Sequence, residues 1–407
     1  MLAGVRALGT EDVPLEQSLG RVLAQDVMSP VFLPPWDNAS MDGFAVYADD
    51  VRGASAERPV RLTVSGTLAA GALPMRDVQR GHAVRIMTGA PVPPGADTVI
   101  RIEDTDAGEA IVSIVDDRDA VRNIRRRGED VQAHQVVMRT GTALGASQVG
   151  VLASVGCARP IVYRRPRVAI LATGDELVSL DRFDEVLNGT RIVSSNSYAL
   201  SAAVTSAGGE PVPLGIAPDD PIALSQRLLE ARGCDLVLTS GGVSVGDFDY
   251  TRSVVASLGG TLSLWRVRMR PGAPLGFGTL FGVPWLGLPG NPVSALVTFE
   301  LFGRPLIRSL AGHARPHRRT MGVTLGDALH LGAPLTHFLR VVLNRDDAGV
   351  LPVATLTGAQ SSGMLTSMST ADALLIVPPE PVDVPAGTVL RALLLDGDIG
   401  GSARFLE

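Results

Sequence analysis

The sequence predicts a multidomain chain of the α/β plus β class, with a helix-flanked sheet lying between two mostly β regions. Three observations predict it. From Arg167 onward, short apolar runs alternate with helical stretches, the pattern of a parallel sheet covered on both faces. Ahead of that unit, residues 27–142 are rich in Pro and Gly with alternating β-type runs, and after it Met321–Leu395 shows short strands separated by turns. A length of 407 residues with 45% apolar content supplies cores for roughly two to four domains.

In chain order, Val60–Val64, Ala83–Met87 and Ala110–Val115 read as strands of the first β region. Val168–Ala172 is apolar at every position, so it reads as a strand buried on both faces. Tyr198–Ala207 reads as a helix stopped by Gly208 and Gly209, and Asp220 with Pro221 opens another that Gly233 closes. Leu236–Thr239, Leu262–Val267, Leu275–Leu280 and Trp285–Leu288 supply further strands. The turn Pro289-Gly290-Asn291-Pro292 leads into a last helix, Val293–Leu310. Ala311–Arg319 reads as a linker to a small β-barrel, and the tail from Asp396 carries no pattern.

The composition excludes several chemistries. All 36 cationic residues are arginine, so a Walker-A lysine, a Schiff-base enzyme and a pyridoxal phosphate enzyme are ruled out together. Cys157 and Cys234 stand far apart without a Cys-x-x-Cys spacing; both are expected to be buried, without a thiolate metal cage or a disulfide. A net charge of -6 without a basic stretch interleaved with aromatics argues against a nucleic-acid partner. No run approaches the ~18 apolar residues of a membrane span, and Arg6 interrupts any signal-like start, so the expected address is the cytoplasm.

In open parallel sheets, ligands bind beyond the carboxyl ends of the strands, where loops and helix amino-termini offer unpaired N–H groups. Four strand ends here are followed by Thr173-Gly174-Asp175-Glu176, by Ser240-Gly241-Gly242-Val243-Ser244-Val245-Gly246-Asp247-Phe248-Asp249, by Arg268 to Pro274, and by Leu288 to Pro292. Glycines and small hydroxyl residues let backbone N–H groups approach phosphate oxygens, and nearby carboxylates can hold a bridging Mg²⁺. The plainer alternative is tight glycine turns, with Asp249 only the N-cap of a helix starting at Tyr250. Four such loops on one rim favour a phosphorylated ligand with a hard cation.

Two N-terminal segments are unusual for plain structure. Pro34 to Ala45 packs Asp37, Asn38, Ser40 and Asp42 into one loop, and Arg85 to Pro93 joins a strand to a Pro-flanked turn. On spacing alone, self-bonded turns remain the simpler reading of both. His313 and His317 have metal-ligand spacing, but Pro316 breaks the helix that would align them. Arg125-Arg126-Arg127 reads more readily as a solvated face than as an anion site. No histidine pairs with a serine or cysteine as a nucleophile.

The segments DNASMDGFA, IMTGAPVPPGAD, NIRRRGED, ATGDEL, TSGGVSVGDFDY, MRPGAPLGFG and LPGNPVSA occur in that order between Asp37 and Ala295. In content, order and separation the set resembles the MoeA/gephyrin-E molybdenumtransferase family, with weaker likeness through Arg340 and Gln360 to Ser367. The resemblance implies an elongated homodimer of four-domain subunits. These are a discontinuous domain from 1–26 with 143–165, a mostly β domain 27–142, a Rossmann-like (MogA-like) three-layer molybdopterin-binding domain 166–314, and a C-terminal β-barrel 315–407. It also implies the last step of molybdenum cofactor synthesis, in which molybdate reacts with adenylylated molybdopterin in a Mg²⁺-dependent step and AMP leaves. Other proteins of cofactor biosynthesis are candidate partners.

Carried over residue by residue, Asp42, Thr88 and Asp130 belong to a face that the partner subunit contributes to the cleft. Glu176, Asp247 and Asp249 belong to the Rossmann-like domain as Mg²⁺ ligands, and Asp42, Asp130, Glu176 and Asp249 form the implied catalytic set. Thr88, Thr173, Ser240, Gly241, Gly242, Ser244, Arg270, Pro289, Pro292, Arg340 and Ser367 are the implied pterin and oxyanion contacts. Such a reaction needs positioning, a cation and a carboxylate, but no covalent protein nucleophile. Three departures stand out: Ala273 where the family carries a second basic residue, Ser194 where it carries Asp, and Arg270 in place of Lys. The chain also begins inside the family's first helix. A non-catalytic relative acting as pterin carrier or scaffold is the alternative function, kept alive by Ala273. An adenylyltransferase shares the sheet but lacks the flanking β domains.

Overall fold

A computed structural model describes residues 1–242, 250–344, 351–380 and 382–395. At its centre stands a six-stranded sheet built from β1 (Arg167–Thr173), β2 (Glu210–Ala217), β3 (Leu236–Ser240), β4 (Thr261–Arg266), β5 (Pro274–Leu280) and β6 (Val283–Leu288), in the spatial order β2-β1-β3-β6-β5-β4. The sheet is mixed, which corrects the parallel sheet expected from the sequence. β2, β1, β3 and β6 run parallel, whereas β5 is antiparallel to both β6 and β4. Only the short turn at Phe281 and Gly282 joins β5 to β6, too short for a crossover, so the pair must form a hairpin. Because β4 reverses again, its carboxyl end still faces the same rim as those of β1, β3 and β6.

Both faces of the sheet are covered. Alternate residues of β1 divide between two cores, as the period of two along a strand requires. Val168 and Ile170 pack with Leu200 and Val204 of α1 (Ser195–Ser206) and with Leu306 and Leu310. Ala169 and Leu171 pack with Leu224 and Leu228 of α2 (Pro221–Leu229) and with Val254 and Val255 of α3 (Thr251–Ser257). Asp220 caps α2 by accepting from the Ala223 N–H at 2.8 Å, with Pro221 at the first helical position. The helix expected at Tyr198 begins one turn earlier, at Ser195, because the serines there tolerate a helix start that apolar periodicity does not register.

The last helix is α4 (Pro292–Thr298) continued by α5 (Arg304–Leu310), with a π-helical turn, Phe299–Gly303, between them. The uninterrupted α-helix expected here therefore carries a π-bulge. At Gly303 a Cβ would lie 2.8 Å from the Phe299 ring, so glycine is what lets the bulge close on that buried side chain. Cys234 is buried, but Cys157 is only partly so.

The barrel closes through β7 (Thr320–Leu325), β8 (Thr336–Asn344), β9 (Val353–Leu356), β10 (Ala373–Val377) and β11 (Val389–Leu394), in the cyclic order β8-β9-β7-β11-β10-β8. A two-residue strand from the central domain, Met269–Arg270, pairs parallel to β8 with Arg270 opposite His337, stitching the two units together. Near the amino terminus, a five-stranded sheet surrounds Phe44, Ile100 and Ile114. A separate core gathers Val13 and Leu23 with Leu144, Leu152 and Val162, so the earliest residues pack on a segment more than a hundred positions later.

Candidate functional site

The carboxyl ends of β1, β3 and β6 open on a cavity of about 660 Å³. Thr173, Glu176, Ser240, Gly241, Gly242, Pro289 and Pro292, all expected from the sequence, line it together. Two of the glycines are obligatory. Gly241 has φ 94° and Gly242 φ 61°; a Cβ on the first would lie 2.6 Å from the Thr173 carbonyl oxygen, and on the second 2.2 Å from Thr251 Oγ1. Thr173 and Thr251 are buried, and neither Oγ1 has a hydrogen-bond partner among the described residues. Of the two, Thr173 lines the cavity, so an unpaired hydroxyl stands beside this backbone, as a polar ligand would require.

The amino-terminus of α1 adds Ser194, Ser195 and Asn196 to the wall, a place where backbone N–H groups favour negative charge. Asn196 Nδ2 donates to Ser240 Oγ and to the Gly290 carbonyl, both at 2.8 Å, tying three loops into one floor. Opposite stand two carboxylates. Glu176 is exposed and folds back over Gly174, which leaves room for it by having no side chain. Asp219, at the end of β2, is half-buried; burial holds its carboxyl above the usual range, and the charges of Asp175 and Glu176 push the same way.

A second cavity of about 730 Å³ adjoins the first, sharing Pro274 and Asn291. Arg270, Ala273, His337 and Arg340 line it. Arg340, on β8, is fully buried. Its guanidinium donates to Ser367 Oγ at 3.1 Å, to the Gln360 carbonyl at 3.3 Å and to the Ser361 carbonyl at 3.0 Å. All three partners are neutral, and no carboxylate lies within ion-pair distance of it among the described residues. Burial lowers its pKa, but an arginine stays charged at neutral pH. A desolvated cation without an anion thus borders an open cavity.

The remaining expected residues stand elsewhere. Asp42 Oδ1 accepts from the Thr88 N–H at 2.7 Å and from Thr88 Oγ1 at 2.6 Å; those bonds, the hydroxyl's first, hold its carboxyl below the usual range. Asp130 is exposed on a loop whose N–H donates to the Leu33 carbonyl at 3.0 Å. None of Asp42, Thr88 and Asp130 lines either cavity of this subunit. Nearby, Asp37 accepts from Arg126 and from the Arg127 N–H, both at 2.7 Å, while the Arg127 guanidinium stacks 4.0 Å from the Phe32 ring. Ser244, Asp247 and Asp249 lie outside the described residues. The helix expected to start at Tyr250 begins at Thr251, with Tyr250 in the N-cap position. Among the described residues no group of three or more His, Cys, Asp or Glu side chains converges on a metal position.

Comparison with known proteins assigns most of the chain. Residues 1–156 match the MoeA N-terminal region (domain I and II), 169–309 a probable molybdopterin binding domain, and 322–395 the MoeA C-terminal region (domain IV). A molybdopterin molybdenumtransferase of Nostoc sp. is 39% identical over 95% of this chain and 89% of its own length. The chain belongs to the MoeA family. Within that family, molybdopterin molybdenumtransferase 2 of Mycobacterium tuberculosis is 38% identical over 95% of both chains. A crystal structure of the molybdopterin biosynthesis MoeA protein of Pyrococcus horikoshii superposes with a TM-score of 0.80 at 28% identity, covering 96% of each chain.

Sequence reasoning missed two residues of the first cavity, Asp219 and Asn196, and the buried Thr251 behind Gly242. Asp219 follows β2, which carries Pro211 and Pro213 and so lacks an ordinary strand signal; the rule that ligands sit beyond strand ends would have found it once that strand was read. Thr251 and Asn196 look like helix-start residues, and only their tertiary partners distinguish them.

Proposed function

We propose that this protein is a molybdopterin molybdenumtransferase, inserting molybdenum from molybdate into adenylylated molybdopterin with release of AMP in the cytoplasm. Arg340 carries this reading: a buried guanidinium bound, among the described residues, only to neutral oxygens, beside a cavity that meets the glycine-rich rim at Pro274 and Asn291, suits a dianionic oxyanion. The first cavity takes the pterin nucleotide. Its phosphates face the amino-terminus of α1 and the Gly241-Gly242 backbone, with Thr173 beside them as a donor. Molybdate sits in the second cavity against Arg340, with Arg270 at the mouth. The sulfurs of the dithiolene and the molybdate oxygens then meet at the shared wall.

Mg²⁺ suits this rim. It commonly uses only one or two protein carboxylates and completes its shell with water and phosphate oxygens, and Glu176 with Asp219 are such a pair. When bound it neutralises charge on the phosphates as the link to AMP breaks. The chain's own residues hold both substrates, exclude bulk water, and keep a carboxylate beside the attacking oxygen. Asp42, Thr88 and Asp130 reach such a cleft only from a second subunit, so the active form is a homodimer.

The test is a mixture of purified protein, adenylylated molybdopterin and Mg²⁺ with molybdate added or omitted. AMP release that depends on both molybdate and Mg²⁺ is expected. Tight pterin binding without AMP release under any condition marks a carrier.

A further inference from the structure

One polar atom of the first cavity has its chemistry dictated by its neighbours. Asn196 spends both Nδ2 hydrogens on the protein, one on Ser240 Oγ and one on the Gly290 carbonyl, each at 2.8 Å. A carbonyl only accepts, so turning the amide round would set oxygen against oxygen at Gly290. Ser240 Oγ gives its own proton to the Pro289 carbonyl at 3.3 Å and therefore also needs a donor from Asn196. Oδ1 is thus fixed as the outward atom. No donor of the described protein reaches it, it is not among the enclosed unpaired atoms, and its residue lines the cavity.

We propose that Asn196 is a specificity residue whose Oδ1 accepts a hydrogen bond from the amino group of a bound amino-substituted N-heterocycle. Pterin and adenine rings both carry such a group. The assignment rests on the cavity holding a pterin nucleotide, and adds what tells that ligand from its oxo analogues. Where the amino group is replaced by a carbonyl, two lone pairs face each other and the preorganised amide cannot turn to relieve them.

Equilibrium binding to the full-length protein is measured with two pairs of probes, pterin against lumazine and AMP against IMP, each differing by amino for oxo at one carbon. Wild type prefers the amino member of one pair by roughly tenfold, and that pair identifies the ring that meets Asn196. Asn196→Ala loses the preference. Asn196→Asp keeps an acceptor and keeps the preference, even if all affinities fall. The assignment is overturned by a wild type without preference in either pair, by an unchanged preference in Asn196→Ala, or by its loss in Asn196→Asp. Disappearance of all binding in both variants overturns it too, since the residue would then only support the fold. A protein that shows the preference but transfers no molybdenum overturns the proposed function and leaves this assignment standing.

Discussion

At Arg340, one side chain combines two facts that rarely coincide: complete burial and, among the described residues, no acidic partner. Leaving a charge so is costly unless something else supplies the anion. Replacing it by Met removes the uncompensated charge but also frees the Gln360 and Ser361 carbonyls. The two effects on stability oppose each other, so affinity is the cleaner readout. Arg340→Met is expected to raise the molybdate concentration for half-maximal turnover tenfold to a hundredfold, about 1.5–3 kcal/mol for a charge-assisted contact. Pterin binding should change little. An unchanged molybdate dependence would place the oxyanion elsewhere. In sequence, Arg340 is one cation in the run His337-Phe338-Leu339-Arg340-Val341, where nothing local says whether it faces solvent or core. Resemblance pointed to it; burial gives the physical reason.

Among the elements, the chain leaves β3 through left-handed backbone at Gly241 and Gly242. Gly242→Ala forces a side chain into left-handed backbone and against Thr251 Oγ1, 2.2 Å from the new Cβ. A loss of about 1–3 kcal/mol of stability is expected in denaturant titration. Adding Thr251→Ala should return part of it, because the two changes share one contact. If the double variant is no better than the single one, backbone strain alone accounts for the loss.

The helix end at α5 supplies a pH dependence. His313 Nδ1 faces Arg308 at 3.0 Å; burial, then the charges of Arg308 and Arg304, push its pKa from 6.5 down to about 4. The unfolded chain therefore takes up a proton below 6.5 that the folded chain refuses until about 4. Stability is fully present above 6.5 and falls as the pH drops through that window. With screening by solvent the loss is on the order of 1–2 kcal/mol. His313→Gln keeps an acceptor for Arg308 and should flatten thermal unfolding midpoints across the same window, compared with wild type.

Elements were legible wherever the pattern had one cause. β1 is apolar from Val168 to Ala172 because both its faces are covered, and its composition alone reveals it. β5 is equally apolar, but apolarity says nothing of direction, so its reversal had to wait for the hairpin with β6. β2 was obscured by two prolines, and the π-turn by a helical pattern that reads the same with one extra residue per turn.

Over the whole molecule, the expected site residues fall into two sets that one subunit does not bring together. Thr173, Glu176, Ser240 and Pro289 line the rim, while Asp42 and Thr88 bond to each other on the amino-terminal β unit. A cleft using both sets requires two chains, so light scattering at micromolar concentration should give twice the subunit mass. A monomer with full activity would falsify that arrangement. The order of the seven motifs made the family visible in the sequence, but the junction of the two cavities arises from Met269–Arg270 pairing with β8, a contact between segments far apart that no local pattern encodes.

Molybdenum is expected to pass onto the pterin inside this protein. The direct measurement incubates it with adenylylated molybdopterin, molybdate and Mg²⁺, removes free molybdate, and determines molybdenum bound per pterin alongside AMP released. Wild type should approach one molybdenum and one AMP per pterin, and Arg340→Met should do so only at much higher molybdate. AMP released without molybdenum on the pterin, or neither product at saturating molybdate, would rule out molybdenum transfer by this protein.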